Sequence, residues 1–568
     1  MRKPRASAPP GWTILRVRAS AWAWHGAALA LYALLAAIFI DHGESLTRNI
    51  SGHGDDPLSF VWFLDWWPWA ITHHIDPLFT NLVWQPLGVD IDWVTSVPLL
   101  SLAGWPLTRI SPVLTYNFFI LLGPVLAAFM AYMLCLRITR YPPAAIIGGF
   151  LFGFSSYEMS QDTATLNLSF TLCVPALLLI VLLRLDNRLN RLAAILLVGL
   201  ILICQFLLCI EIFGMIFIFG GIAWALALVY LPERRPSLHR LAVDGLLTAP
   251  WVLILLSPFL VHMALHADTV NLPTAWPYYY AADLLNFFIP ARTNLFGGGI
   301  FALISSHFNG GPQEQDAYLG LPLLLILLLF AWEQGAKPAA GLLLVMFLLL
   351  VLFSLGPRLW IAGHYSGLPL PWSPFAQLPL VKDALPTRFA LFVSLTAAIT
   401  AALWIASTYP RQRPLRLALG FLACLVLLPS PHPWMKIPAS VFFQPGRVEA
   451  ALGPQARILV LPFSINGPSA YWQTESHFGF LQTGGYLGFP PKPMQSYPAV
   501  GELFGNVQNP DFLTDITHFC TSTRTQFIVV GPGTTPVLQA DIARLHWRGQ
   551  KIDDVVVYTV PAGTASNG

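Results

Sequence analysis

Two adjacent carboxylates, Asp55 and Asp56, follow the first apolar segment in the string Gly52-His53-Gly54-Asp55-Asp56-Pro57. An acidic pair at the edge of a mostly apolar chain is costly unless chemistry uses it, and a single carboxylate beside a hydroxyl can act as a general base. Asp55 is the candidate base. Asp56 precedes Pro57, a favoured first helical residue, so it is a candidate helix cap or a partner to Asp55. Helix capping alone also accounts for one of the two. His53, Asp55, Asp56, His73, His74 and Asp76 together hold the donor types of a divalent-metal site, but their spacing matches no ligand signature. The metal question stays open, and no cofactor is assigned.

The elements that must position this pair are membrane helices. The chain has 568 residues, of which 55% are hydrophobic and 10% charged, against about 25% charged in soluble domains. Apolar runs at 21–40, 94–110, 114–136, 143–156, 166–183, 192–210, 212–230, 241–262, 319–333, 338–355, 388–407 and 415–430 predict about 11–12 spans. Met1 to Ser20 is basic and lacks a small-residue cleavage site, so residues 1–20 are expected to be a cytoplasmic tail before a retained span. Arg137, Arg140, Arg184, Arg188, Arg191, Arg234, Arg235, Arg240, Lys337, Arg411, Arg413 and Arg416 mark the short connections as cytoplasmic. The long connections, beginning with 41–93, then face outward. If 94–110 crossed fully, Arg137 would land outside. Pro98 and Pro106 favour an irregular, non-spanning element there.

From about residue 431 the composition changes. Ala456–Phe463, Gln526–Gly531 and Asp553–Val560 are predicted strands of a small α/β domain over 431–568, following a transmembrane domain over 21–430. Gly531-Pro532-Gly533 is a turn, not a dinucleotide fingerprint. The six cysteines show no CxxC spacing, which argues against a zinc ribbon or disulfide framework. A basic stripe and a Walker-type loop are both absent, so nucleic-acid and ATP functions are unsupported.

Several strings together resemble the polytopic glycosyltransferases of the GT-C superfamily, in particular a bacterial branch with a Gly-Asp-Pro-Leu-like string before a Trp-rich helix. They are Gly54-Asp55-Asp56-Pro57-Leu58, Trp62 and Trp66, Pro86-Leu87-Gly88, Ala144 to Tyr157, Asp283 to Pro290, Pro386-Thr387-Arg388-Phe389, Val460-Leu461-Pro462-Phe463 and Gly484-Gly485-Tyr486. The resemblance implies a mainly α, polytopic helical bundle with a small extracytoplasmic α/β domain, in a bacterial cytoplasmic membrane. It also implies transfer of a sugar from a polyprenyl-phosphate donor to a glycan, lipid or protein acceptor at the outer face, with Asp55 or Asp56 as base.

The expected substrate-binding set is His53, Asp65, Trp66, Asp283, Lys382 and Arg388. Trp62, Asp65, Trp66, Trp69 and His73 share one helix face, either as a platform for a prenyl chain or sugar ring or as an interfacial anchor. Among outside-facing cations Arg388, Lys382, Arg358 and Arg292, Arg388 is the best phosphate ligand because its planar guanidinium holds two oxygens at once; a snorkelling arginine is the alternative. Asp283 either assists acceptor binding or caps a helix. Glu158 and Glu211 are placed at outer ends of spans. Two further readings stay open: a flippase for a lipid-linked sugar, disfavoured by the lack of internal repeats, and a non-catalytic envelope-assembly protein.

Overall fold

Helices that are apolar on every side must be enclosed by other helices or by lipid. The computed structural model describes residues 11–561 apart from 95, 267–274, 379–380, 408–410 and 489. The first ten residues of the expected tail lie outside that range. Seven described helices are long and apolar enough to cross a membrane: Trp22–Asp41, Pro112–Thr139, Leu166–Leu185, Arg191–Leu208, Ile210–Tyr230, Pro232–Leu265 and Pro386–Ala406. Leu321–Gln334 and Pro338–Ser354 are shorter apolar helices. Leu200, Leu246, Ile254 and Leu328 stay exposed on helix faces, as a lipid-facing surface requires. The chain is an integral membrane protein, a helical bundle with a small sheet domain at its C-terminal end.

The doubtful segment 94–110 forms the helix Pro98–Thr108, of 11 residues. At 1.5 Å per residue it is about 16 Å long, half a bilayer core. Arg137 therefore reaches the same end of the bundle as the other basic connections. There Arg137 and Arg234 pair with Asp186, the latter at 3.2 Å, while Arg184 and Arg191 share Asp244, each at 2.7 Å. Arg416 pairs with Glu333 at 2.7 Å.

The centre of the bundle is built on small residues. Ala390–Ala406 is almost wholly buried and packs on Pro142–Gly153. Ala128, Ala131, Ala397, Ala401 and Ala402 line the contacts, and glycines let the backbones approach where no methyl group fits. A Cβ on Gly148 would lie 2.7 Å from Cys135 Sγ, and one on Gly153 would lie 2.6 Å from Ala128 Cα.

The C-terminal sheet contains the three predicted strands. Its order is Gly549–Ile552, Val555–Thr559, Phe527–Val530, Arg457–Leu461, Leu481–Gln482. Arg457–Leu461 runs parallel to Phe527–Val530 and to Leu481–Gln482, and the other pairings are antiparallel. The domain is stitched to the first long loop twice. Asn49–Ser51 pairs with Trp434–Lys436. Trp84 and Gln85 donate backbone bonds to Gly484 and Gln482, and Gln482 donates to Leu82.

Because a side chain at Gly153 must push the helix Pro112–Thr139 away, Gly153→Leu is expected to abolish a monodisperse peak in size-exclusion chromatography. Gly221→Ala, where a Cβ meets nothing within 4 Å, should elute as wild type.

Candidate functional site

The acidic pair sits where a loop turns into a helix. Gly52 and Gly54 have φ of +101° and +80°, a region that favours glycine. A Cβ on Gly52 would also collide with the carbonyl of Thr163. His53 N–H donates to that same oxygen at 3.0 Å, and Ser51 N–H donates to Asn117 Oδ1 at 2.9 Å. The loop is thereby fixed before Asp56 opens the helix Asp56–Thr72, with Pro57 in its first turn.

The two carboxylates then diverge. Tyr486 O–H donates to Asp56 Oδ1 at 2.7 Å. Tyr486 is delivered by Gly484-Gly485, whose backbone lies against Phe463 and Val83, and its carbonyl accepts from Ser59 Oγ at 2.9 Å. Burial raises the Tyr486 hydroxyl well above its usual range, with the charge of Asp56 adding to it, so it stays a donor. Burial also raises Asp56, while the Tyr486 bond and the nearby Arg388 charge pull it back. Asp55 is the N-cap residue, but its side chain makes no capping bond. Burial, then the neighbouring Asp56, pushes it up to about 7.

Facing Asp56 is a cluster around Arg388. Its Nη1 bonds Glu211 Oε2, while Nη2 and Nε donate to Glu314 Oε1 at 2.8 and 3.3 Å. Thr387 Oγ1 lies 2.9 Å from both the Glu314 carbonyl and Asp316 Oδ1. Gln161 Nε2 donates to the Gln313 carbonyl at 3.0 Å and reaches Asp316 Oδ2 at 3.3 Å. Burial, with the charge of Glu314 adding to it, raises the Asp316 carboxyl well above its usual range. Sequence reasoning missed Glu314 and Asp316. The Glu-x-Asp spacing in Gly310-Gly311-Pro312-Gln313-Glu314-Gln315-Asp316 was the available signal. Tyr486 was noticed within a motif but given no role.

The other expected residues are placed as follows. Asp65 is half-buried in the middle of its helix, and burial pushes it up to about 7. Trp66 is buried, stacked between Trp62 at 5.1 Å and Trp69 at 5.5 Å, with Phe478 edge-on at 6.2 Å. Trp62 Nε1 donates to Gln473. The indole face expected as an open platform is thus occupied by the C-terminal domain. Asp283 accepts backbone N–H bonds from Leu285, Ala362 and Gly363 at 2.9, 3.0 and 2.7 Å, which makes it a loop cap. Lys382 is exposed in the turn Val381–Asp383, just ahead of the Arg388 motif. His53 and Arg292 are exposed, and Arg358 donates to the Gly367 carbonyl.

The six-residue metal cluster does not assemble. His73, His74 and Asp76 lie at the far end of a 17-residue helix, about 25 Å from Asp55 at 1.5 Å per residue. Beneath the loop Gly52–Gly54 lies a different donor set of Glu158, Asp162 and His432. His432 Nδ1 is 4.0 Å from Asp162 Oδ2, and Glu158 Oε2 accepts from Thr171 at 3.0 Å. Glu158 Oε1 and His432 Nε2 have no hydrogen-bond partner among the described residues. Burial raises both carboxyls well above their usual range and lowers the imidazole to about 3.

A family model described as a domain of unknown function (DUF6311) matches residues 58–428, from the first turn after Asp56 to the last apolar helix. No curated protein matches the chain at a significant level. Among solved structures, the arabinofuranosyltransferase AftD from Mycobacteria superposes with a TM-score of 0.57 at 13% identity, over 95% of this chain and 40% of that one. The oligosaccharyltransferase of Archaeoglobus fulgidus superposes with 0.52 at 14% identity, over 89% of this chain and 68% of that one. This chain therefore spans about two fifths of the length of AftD. At this identity the feature shared with the two transferases is the fold.

Two outcomes test this geometry. Arg388→Ala leaves Glu211 and Glu314 facing Asp56 without their cation, and should cost about 3–5 kcal/mol, read as a lower unfolding temperature in detergent. Asp65 binds a proton in the folded state that the unfolded chain releases above its ordinary range near 4. Its stability contribution is thus lost as pH rises through about 7. Asp65→Asn should therefore raise the unfolding temperature at pH 8 and leave it unchanged near pH 4.

Proposed function

The chain belongs to the DUF6311 family, and from that premise we propose that it is a membrane glycosyltransferase. It moves a sugar from a polyprenyl-phosphate donor to an envelope glycan, lipid or protein acceptor at the outer face of the membrane. The observation that supports this reading is the convergence at one place of Asp55-Asp56, Tyr486 and the Arg388 cluster, brought there by the first long loop, the C-terminal domain and the helix start at Pro386. That place is at the bundle end opposite the basic connections. Helix Pro112–Thr139 carries Asn117, which holds the acidic loop, near one end and Arg137 near the other. Basic connections sit in the cytoplasm, so the acidic site faces outward.

The chemistry follows from the asymmetry of the pair. Asp55 has no capping role and an affinity for protons near neutrality, which suits a general base. It takes the proton of the acceptor hydroxyl as the hydroxyl oxygen bonds to the anomeric carbon. The bond from that carbon to the donor phosphate oxygen breaks, and polyprenyl phosphate leaves with the electron pair. Asp56, tied to Tyr486, fixes the loop that aims Asp55. Lys382, exposed on this face, supplies positive charge for the departing phosphate, whereas the Arg388 guanidinium, expected from the sequence as the phosphate ligand, is taken up by Glu211 and Glu314.

The test is transfer from a panel of labelled polyprenyl-phosphate sugars by purified protein in nanodiscs. Asp55→Asn is expected to lower transfer by about 10²–10⁴-fold with folding intact. In wild type the rate should climb as pH rises toward about 7 and level off above it, because only the ionised Asp55 accepts a proton. Equal rates in wild type and variant remove Asp55 from the chemistry. Donor binding without transfer across the panel favours a flippase or an assembly role.

A further inference from the structure

The first long loop carries a second acidic pair, Asp90 and Asp92, on the strand Val89–Asp90 and the turn after it. Both meet the C-terminal end of the long helix Arg235–Leu265. His262 Nδ1 lies 2.7 Å from Asp92 Oδ2, and His262 Nε2 lies 3.8 Å from Asp90 Oδ1. His266, one helical turn further on, places Nδ1 3.9 Å from the same Asp90 oxygen. The two imidazoles are 4.2 Å apart between centroids. One donor atom from each of Asp90, His262 and His266 lies within 4.8 Å of the other two.

The hydrogen bonds select the tautomers. The Asp92 carboxylate accepts a hydrogen bond from His262 Nδ1–H, which leaves the lone pair of Nε2 directed at Asp90. This is the carboxylate–histidine arrangement that orients an imidazole towards a metal. His266 Nδ1 likewise sits 2.9 Å from the His262 carbonyl, which fixes the orientation of that ring. Asp92 is held rigidly, since its other oxygen accepts the Trp93 N–H at 3.0 Å and its side chain is wholly buried. Trp93 Nε1 donates to the Met263 carbonyl at 3.2 Å, so loop and helix are joined on both sides of the cluster.

We propose that Asp90, His262 and His266 bind a divalent transition-metal ion, with Asp92 as the positioning residue for His262. Two imidazoles and one carboxylate match Zn²⁺, whereas Mg²⁺ and Ca²⁺ prefer oxygen throughout. Tetrahedral zinc with ligand bonds near 2.1 Å needs donor atoms roughly 3.4 Å apart; the observed 3.8 Å between His262 Nε2 and Asp90 Oδ1 closes by a sub-ångström movement, and one donor atom of His266 lies within 4.8 Å of the other two. The ion would clasp the loop to the helix. The same loop, through Leu82, Trp84 and Gln85, holds the 482–484 segment that leads into Tyr486. The clasp is independent of the glycosyl-transfer reading, because it is built from residues that reading does not use.

The experiment uses the full chain, freed of any affinity tag and stripped with a chelator, titrated with Zn²⁺ against a chromophoric competitor. Wild type is expected to take up one tight equivalent and to gain several degrees in unfolding temperature, with Mg²⁺ giving neither. His262→Ala and His266→Ala should each lose that equivalent. Asp92→Asn should keep it but weaken it by about 10–100-fold. Each variant is compared with wild type in chelator, where equal elution profiles establish folding. Absence of a saturable equivalent in wild type overturns the proposal, as does undiminished binding by both histidine variants.

Discussion

A guanidinium taken out of water must be met by carboxylates, and Arg388 is met by two from distant parts of the chain. Glu211 begins the helix Ile210–Tyr230, Glu314 lies in the loop before Leu321–Gln334, and Arg388 precedes Ala390–Ala406. Satisfying one cation therefore sets the relative height of three segments at the site end of the bundle. The carboxylates need it equally, because Glu211 and Glu314 would otherwise stand uncompensated with Asp56 close by. Thr387 and Gln161 complete the arrangement by bonding the buried Asp316. The pairing also fixes what Arg388 does: it organises the acidic loops.

The second dependence runs through the C-terminal domain. Tyr486 reaches Asp56 only because Gly484-Gly485 lies flat against Phe463 and Val83, and because the first long loop pairs with residues 482–484. The buried tryptophans of helix Asp56–Thr72 belong to this joint. Trp62, Trp66 and Trp69 pack on Phe478, and Trp62 Nε1 donates to Gln473, so the aromatic wealth of the helix secures domain docking. The domain is a structural part of the acidic site rather than an appendage.

How much of this could be read from the sequence depends on the range of the interaction involved. Apolar runs and β-branched strings are local, so the main helices and the strands at 457–461, 527–530 and 555–559 were legible. The sheet order was not, because pairing is non-local. Asp55-Asp56 stood out since two charges in an apolar context cost free energy wherever they fold. Glu314 and Asp316 did not stand out, because an acidic pair in a long loop looks solvated until Arg388 is found beside it. The tryptophan periodicity correctly gave a single face, but periodicity cannot say whether lipid, ligand or a second domain covers that face. His262 has no local signal of its own, since its partner Asp92 lies 170 residues upstream.

The division of labour within the acidic pair follows from these constraints. Asp55 and Asp56 are adjacent in sequence and chemically identical, yet one is anchored by a hydroxyl and a nearby cation while the other has only burial and its neighbour's charge. Two carboxylates in contact do not ionise independently: stabilising the charge on one raises the proton affinity of the other. Tyr486 and Arg388 favour ionised Asp56, and that charge helps to hold Asp55 at about 7. The distant domain and the buried arginine therefore act on Asp55 without touching it. Both are needed for a carboxyl that can take up and release a proton near neutral pH.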